Sequence, residues 1–237
     1  SYVTFGVVRN GLKLTAAVQR GIIPLESVVS TQMLGSLGYV RVERFAETTH
    51  DELLVALSRL DSLQMRGLIL DLRGNPGGYL HEAVAIADEF LSEDKSIVIT
   101  KYGDGRTQTS TASGGERYED LPVHIIIDGN SASASEVVTG ALQDHDRATV
   151  YGTTSFGKGL VQEDKILSDG SKVRLTVAYY YTPSGRSIQK PYEGADLPGQ
   201  MEGAVFTSDS GKVLLASGGI EPDVYLPADS SNSYYWS

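Results

Sequence analysis

The spacing of apolar and polar positions divides the chain into short strands and a few helices. Tyr2 to Val8 and Leu12 to Val18 are apolar, β-branched runs separated by Asn10-Gly11, the strongest short signal for a hairpin. An isolated hairpin is marginal in water, so this one is expected to pack on something else. Ile22 to Leu34 reads as a connecting strand, and Gly38 to Phe45 (GYVRVERF) alternates as a half-buried strand. Leu53, Leu54, Leu57 and Leu60 then form a helical stripe, with Thr49 as cap and Asp51 and Glu52 in the first turn. Gly67 to Leu72 (GLILDL) is a short apolar strand closed by the glycine-rich turn RGNPGG at 73–78. Leu80 to Leu91 predicts an amphipathic helix, and Ser96 to Lys101 and Val123 to Ile127 predict buried strands on either side of a polar surface loop at 103–120. Ser131 to His145 reads as a helix opened by a serine-rich stretch, and Ala148 to Tyr151 as a strand. Leu160 to Leu167 and Lys172 to Tyr181 read as a hairpin turning at Ser168-Asp169-Gly170. The last 50 residues are polar and irregular. Strands alternating with helices through 38–151, with no internal repeat, predict an α/β core.

Composition narrows the partners. A length of 237 residues suits one large domain or a medium domain with an appendage, and 41% hydrophobic residues supply a full core. The net charge of −10 is repelled by phosphate backbones, which argues against nucleic acid. There is no cysteine, which removes disulfides, thiol nucleophiles and thiolate metal sites together. No apolar run approaches the roughly 18 residues of a membrane span, and the first residues lack the basic segment and apolar block of a signal peptide.

The candidate chemistry lies in three turns that each follow an apolar strand: RGNPGG, DGNSASASE and GTTSFGKG. Strand ends in open α/β sheets are where ligands bind. The second turn carries Ser131, Ser133 and Ser135 into the start of a helix, whose free N–H groups and positive dipole end suit an oxyanion. The third offers Lys158 between two glycines, which let a backbone approach closely. A serine needs a base to become a nucleophile. A lysine amine serves only when neutral, and burial away from water and carboxylates favours that form. No acid lies close to Lys158 in sequence. Gln162, four residues on, would face the same side of a strand, where its amide could orient the lysine.

GLILDLRGNPGG, NSASASEVVTGALQDHDRA and TSFGKGLVQ resemble the C-terminal processing peptidases (tail-specific proteases, serine peptidase family S41), relatives of the tricorn protease core. In that family the dyad serine and lysine lie 25 residues apart. Here 158 − 133 = 25, which selects Ser133 among the three serines. The resemblance implies a Ser133-Lys158-Gln162 arrangement and an oxyanion hole formed by the N–H of Ala134 and that of Gly78, with Gly77 in reserve. It also implies a ClpP/crotonase-like α/β core of stacked β-β-α units. The implied activity is that of a serine endopeptidase acting through an acyl-enzyme on protein or peptide substrates near their C-termini. No metal or organic cofactor is required. The resemblance further implies an extracytoplasmic place, periplasmic or in the cell envelope, and leaves a homo-oligomer open. Such enzymes normally carry a PDZ domain before the core. Only its last hairpin is visible, so residues 1–21 are read as a PDZ-like hairpin and linker and 22–237 as the peptidase core. The stretch from Glu193 to Ala204 is abrupt and short beside many relatives, as a chain break would make it.

Other readings of the same residues are weaker. Ser131 and Ser135 fit helix capping, and Glu136 fits a first-turn acid complementing the dipole. GTTSFGKG lacks the hydroxyl a phosphate loop needs after its lysine, since Gly159 stands there. None of His50, His81, His124 and His145 forms a metal pair. A base at His145 would sit about 18 Å along the helix from Ser133. His81 could border the cleft but fits a capping or solvent role. Asp71 and Arg73 read as structural supports of the first turn, and Tyr179 to Tyr181 as sheet packing. Two rivals are a binding module on a crotonase-like scaffold and an interaction domain acting through the hairpin. An active dyad should bring Ser133 Oγ and Lys158 Nζ near hydrogen-bond reach, or somewhat looser at rest.

Overall fold

A computed structural model describes residues 1–21, 26–190, 204–216 and 218–227. Residues 22–25, where the connecting strand was expected to begin, and 191–203, which hold the abrupt stretch except for Ala204, lie outside the described residues.

The apolar runs assemble into a six-stranded sheet. Its members are β3 (Val28–Leu34), β4 (Leu37–Val42), β5 (Leu68–Asp71), β8 (Val123–Ile127), β9 (Ala148–Gly152) and β14 (Val224–Tyr225). Their order is β14-β9-β8-β5-β4-β3; every pairing is parallel except β3 with β4. Three helices connect them: α1 (Thr49–Ser62), α2 (Leu80–Asp88) and α3 (Ala134–Asp144). Val123, Ile125 and Ile127 of β8 are buried while His124 and Ile126 between them are only partly so, the period-2 pattern of a strand with one face on the core. That core joins Leu53, Leu57, Ile86 and Val138 of the helices to Leu68, Leu70, Ile125 and Val150 of the sheet.

A second, antiparallel sheet is ordered β10-β11-β6-β7, from β10 (Leu160–Ile166), β11 (Lys172–Tyr181), β6 (Ser96–Tyr102) and β7 (Thr107–Thr111). β11 pairs with β6 only over Ala178–Tyr181, so the rest of the β10–β11 hairpin projects as a ribbon with exposed sides. A short pair, β12 (Val205–Thr207) and β13 (Val213–Leu215), completes the elements with the N-terminal hairpin of β1 (Tyr2–Arg9) and β2 (Leu12–Gln19). The turn after β11 is clipped to the end of α3 by a buried ion pair, Arg186 Nη2 to Asp144 Oδ1 at 2.5 Å, with Gln143 Oε1 as a second acceptor at 3.0 Å.

Several expectations change. The polar stretch 103–120 contains β7, whose Thr107–Thr111 run pairs with β6; it reads as loop because four of its five residues are exposed and only one is half-buried. The expected helix at Ser131 begins only at Ala134, because Ser133 has φ 56°, which no α-helix accepts. α1 is entered at Thr48, and Thr49 Oγ1 instead accepts the Ala46 N–H at 2.8 Å. Among its described residues the polar C-terminal part holds three short strands. The hairpin forms as expected, but both of its strands are exposed along their whole length, and it does not pack into the core.

Candidate active site

The three glycine-bearing turns leave the same end of three neighbouring parallel strands, β5, β8 and β9, and meet there. The first and second are laced together. Asn75 is fully buried; its Nδ2 donates to Val42 O and its Oδ1 accepts the Gly77 N–H, both at 2.9 Å. Its carbonyl accepts the Ala132 N–H (2.9 Å) and the Ser135 hydroxyl (3.0 Å). Ser131 Oγ donates to Leu72 O and accepts from the Asp128 N–H, and Asp128 Oδ1 takes the Gly74 N–H. Ser131 and Ser135 are therefore bolts between turns and not helix caps, and Ser133 occupies the cap position itself. Sequence reasoning passed over Asn75. Its signal was an asparagine inside a turn rich in glycine and proline, where a short amide can satisfy buried backbone groups.

Ser133 stands on a tight bend at φ 56°, ψ −112°. A non-glycine residue with positive φ is strained, and such strain concentrates at functional sites. The bend presents the side chain outward at the mouth of the helix, the geometry that displays a nucleophile on a strand-to-helix turn. Gly77 packs against it so closely that a Cβ there would lie 2.6 Å from Ala132 O and 2.8 Å from Ser133 Cβ.

Glu136 joins this bend to the third turn. Its side chain is buried, and both oxygens are fully used. Oε2 accepts the N–H of Ser133 (2.7 Å) and of Lys158 (2.9 Å), while Oε1 accepts the N–H of Gly157 (2.7 Å) and the Ser155 hydroxyl (2.5 Å). Burial raises its pKa above the ordinary glutamate value; the hydrogen bonds from Ser155, Lys158, Gly157 and Ser133 act in the opposite direction without cancelling it. Glu136 is the first-turn acid expected, and it also ties the bend to the third turn. The third turn needs glycine at 157, where φ is 86° and a Cβ would meet Gly218 O at 2.3 Å.

Ser133, Lys158, Gly78, Gln162 and Tyr180 line one open cleft of about 400 Å³. Among the described residues, Lys158 Nζ has no hydrogen-bond partner and is not bonded to Ser133 Oγ, which faces the Glu136 N–H in a capping box. Catalytic hydrogen bonds are often long without substrate and tighten when it binds. The N–H groups of Ala134 and Gly78 also lack acceptors among the described residues, whereas that of Gly77 is taken by Asn75. A free pair of N–H groups therefore involves Gly78, not Gly77. Gln162 reaches the cleft by another route than simple alternation. Lys158 precedes β10, and a bulge between Val161 and Gln162 resets the facing. No histidine lines this cleft, and the His81 side chain is 67% exposed beside Glu82. Among the described residues no group of His, Asp and Glu could hold a metal.

Asp71 and Arg73 brace the first turn as expected. Arg73 Nη2 reaches Asp71 Oδ2 at 2.6 Å, and the Tyr39 hydroxyl donates to the same oxygen at 2.7 Å. Burial pushes the Asp71 carboxyl up, but the hydrogen bonds from Arg73 and Tyr39 outweigh it and leave the group below the ordinary value of 3.8. A depressed folded pKa stabilises the fold above the unfolded value, and that contribution is lost as pH falls through the folded one. The stability penalty of Asp71→Asn is therefore expected to be largest at neutral pH and to shrink below 3.8. Urea midpoints of both proteins across the acid range read this directly, and a constant penalty would refute it.

With the fold and the geometry of the three turns described, the family can be stated. The model of peptidase family S41 matches residues 36–196, and the chain belongs to that family. It is 43% identical over 184 residues to the carboxy-terminal-processing protease of Bartonella bacilliformis, covering 74% of this chain and 41% of that protein. It is 37% identical over 197 residues to the carboxy-terminal processing protease CtpB of Bacillus subtilis, covering 80% and 40%. Among solved structures it resembles the photosystem II D1 C-terminal processing protease, with TM-score 0.67, 29% identity, and coverage of 96% of this chain and 56% of that one. The chain thus spans about two fifths of the length of these curated relatives.

Proposed function

We infer that the chain is the catalytic part of a serine endopeptidase that hydrolyses protein substrates near their C-termini through an acyl-enzyme. One observation carries the reading: Ser133, on its strained bend, shares a cleft with Lys158 and stands beside the two unpaired N–H groups of Ala134 and Gly78. Neutral Lys158 takes the proton of Ser133 Oγ as that oxygen attacks the scissile carbonyl. The resulting oxyanion is held by the N–H groups of Ala134 and Gly78, donors already oriented before the charge appears. Collapse breaks the C–N bond, and the amine leaves with the proton carried by Lys158. Water then gives its proton to Lys158 and attacks the ester, which frees the acid and regenerates Ser133. Gln162, at the edge of the same cleft, orients the lysine amine. The core corresponds to a ClpP/crotonase-like stack of β-β-α units, residues 1–21 to the edge of a PDZ domain, and 22–237 to the peptidase core. The names of the relatives support C-terminal substrates, and the family resemblance supports an extracytoplasmic place. Among the described residues no helix is long and apolar enough to cross a membrane.

The test is covalent capture. Incubation with a fluorophosphonate should add one label per chain, and peptide mapping should find it on Ser133. Labelling of Ser131 or Ser135, or none at all under conditions that label a known serine peptidase, overturns the assignment.

A further inference from the structure

The cleft continues beyond the dyad. Past Lys158, Leu160 and Gln162 a second lobe of about 840 Å³ opens, bounded further out by Phe156, Gln189 and Lys190. Among the described residues no Asp or Glu lines this lobe, although the chain carries 30 acids against 20 bases. Glu136 lies behind the 155–158 backbone with its oxygens engaged by four donors. Lys190 is exposed, and its ammonium has neither an ion pair nor a hydrogen bond among the described residues. The root of this side chain is fixed against the turn that carries Lys158. The Lys190 N–H donates to Gly157 O and its carbonyl accepts from Gln189 Nε2, both at 2.8 Å. Its Cα and Cβ close against Gly218, and its Cβ against Gly157.

We propose that this lobe is a carboxylate-binding subsite, in which Lys190 pairs with an anionic group of the bound peptide. A cation unpaired among the described residues, at the wall of a lobe where no described acid stands and with the nearest cleft acid, Asp164, already paired with Arg174, fits an anion arriving with the substrate. Two sources share that chemistry: the free α-carboxylate at the peptide's end and the side chain of an Asp or Glu. The subsite rests on the peptidase reading of Ser133 and Lys158, since it lies along the same cleft. It selects where a chain is cut by the distance from the dyad to the anion.

The experiment uses three sets of peptides with one to six residues after the cleaved bond. One set ends in a free acid, one is amidated, and one is amidated with an Asp in its tail. Wild type should cleave a carboxylate-bearing peptide, acid or Asp, with a kcat/KM about tenfold above the plain amide at one tail length at least. Whichever of the two shows the advantage identifies the source. Lys190→Gln should bring that peptide down to the level of the amide, and Lys190→Arg should retain most of the advantage. Equal rates for all three sets at every length overturn the subsite, as does a preference that survives Lys190→Gln. Fluorescence anisotropy of the same peptides on Ser133→Ala protein reads the preference without turnover. Failure of the peptidase reading shows as absent cleavage, and failure of the subsite as equal binding of acid, amide and Asp peptides.

Discussion

Ser133→Ala is expected to lower kcat/KM on a peptide substrate by at least about 10⁴-fold while leaving the fold intact. Alanine gives up only the capping-box contact of the hydroxyl with the Glu136 N–H, and that N–H keeps the Ser133 carbonyl as acceptor at 2.9 Å. The alanine keeps the Cβ that packs near Gly77. What disappears is the oxygen that the proposed mechanism uses to form the acyl-enzyme. Lys158→Ala should fall similarly, and the double variant should be scarcely worse than either single one, because nucleophile and base act as a unit. Additive losses would mean that the two side chains serve separate steps. The same bend predicts an opposite effect on stability. Ser133→Gly removes the strain of a positive φ, and the inactive protein should gain about 1 kcal/mol, read from denaturant midpoints.

Glu136→Gln is expected to reduce kcat by about 10²- to 10³-fold with a smaller change in KM. All four partners of this carboxylate are donors: the N–H groups of Ser133, Gly157 and Lys158, and the Ser155 hydroxyl. An amide supplies one acceptor oxygen and one donor nitrogen. Either orientation therefore sets an N–H₂ against two of the four. Placing the nitrogen toward Ser133 and Lys158 opposes the N–H groups of both dyad residues. Placing it toward Ser155 also disturbs a hydroxyl that accepts the Ile220 N–H at 2.7 Å. Buried donors left without acceptors cost about 1–3 kcal/mol each, and the relief available is for the two turns to move apart. A loss confined to KM would show that Glu136 shapes the peptide groove and not the spacing of nucleophile and base. A variant with wild-type kcat would show that the coupling is dispensable.

Much of this site was legible because the chemistry rests on local features. Glycine clusters marked the turns after GLILDL, VHIII and ATVY, and those strands proved to be neighbours with all three turns at one end. Through the family resemblance, the distance of 25 residues between Ser133 and Lys158 singled out Ser133 among three serines as the expected nucleophile. What escaped was set by contacts between turns. Nothing local distinguishes Glu136 from an ordinary first-turn acid, since its partners at 155–158 come from another strand's turn. Ser131 and Ser135 look like caps until Leu72 O and Asn75 O are brought over them. Gly78 was preferred over Gly77 from the resemblance alone; the acceptor that engages the Gly77 N–H, Asn75 Oδ1, was not legible. The strand at Thr107–Thr111 was hidden because neither of its faces is buried, so it has no alternation to read.

The parallel order β5-β8-β9 has a metric consequence. Adjacent strands are held about 4.8 Å apart by their ladder, so the turns bearing Gly78, Ser133 and Lys158, which the proposed mechanism uses, are dealt out at fixed intervals along a ruler of backbone hydrogen bonds. The separations on which the reaction depends are thus inherited from the peptide group itself. Lengthening the connections at the opposite ends of these strands would leave the three stations in place, whereas slipping one strand by a single residue would misplace the station it carries.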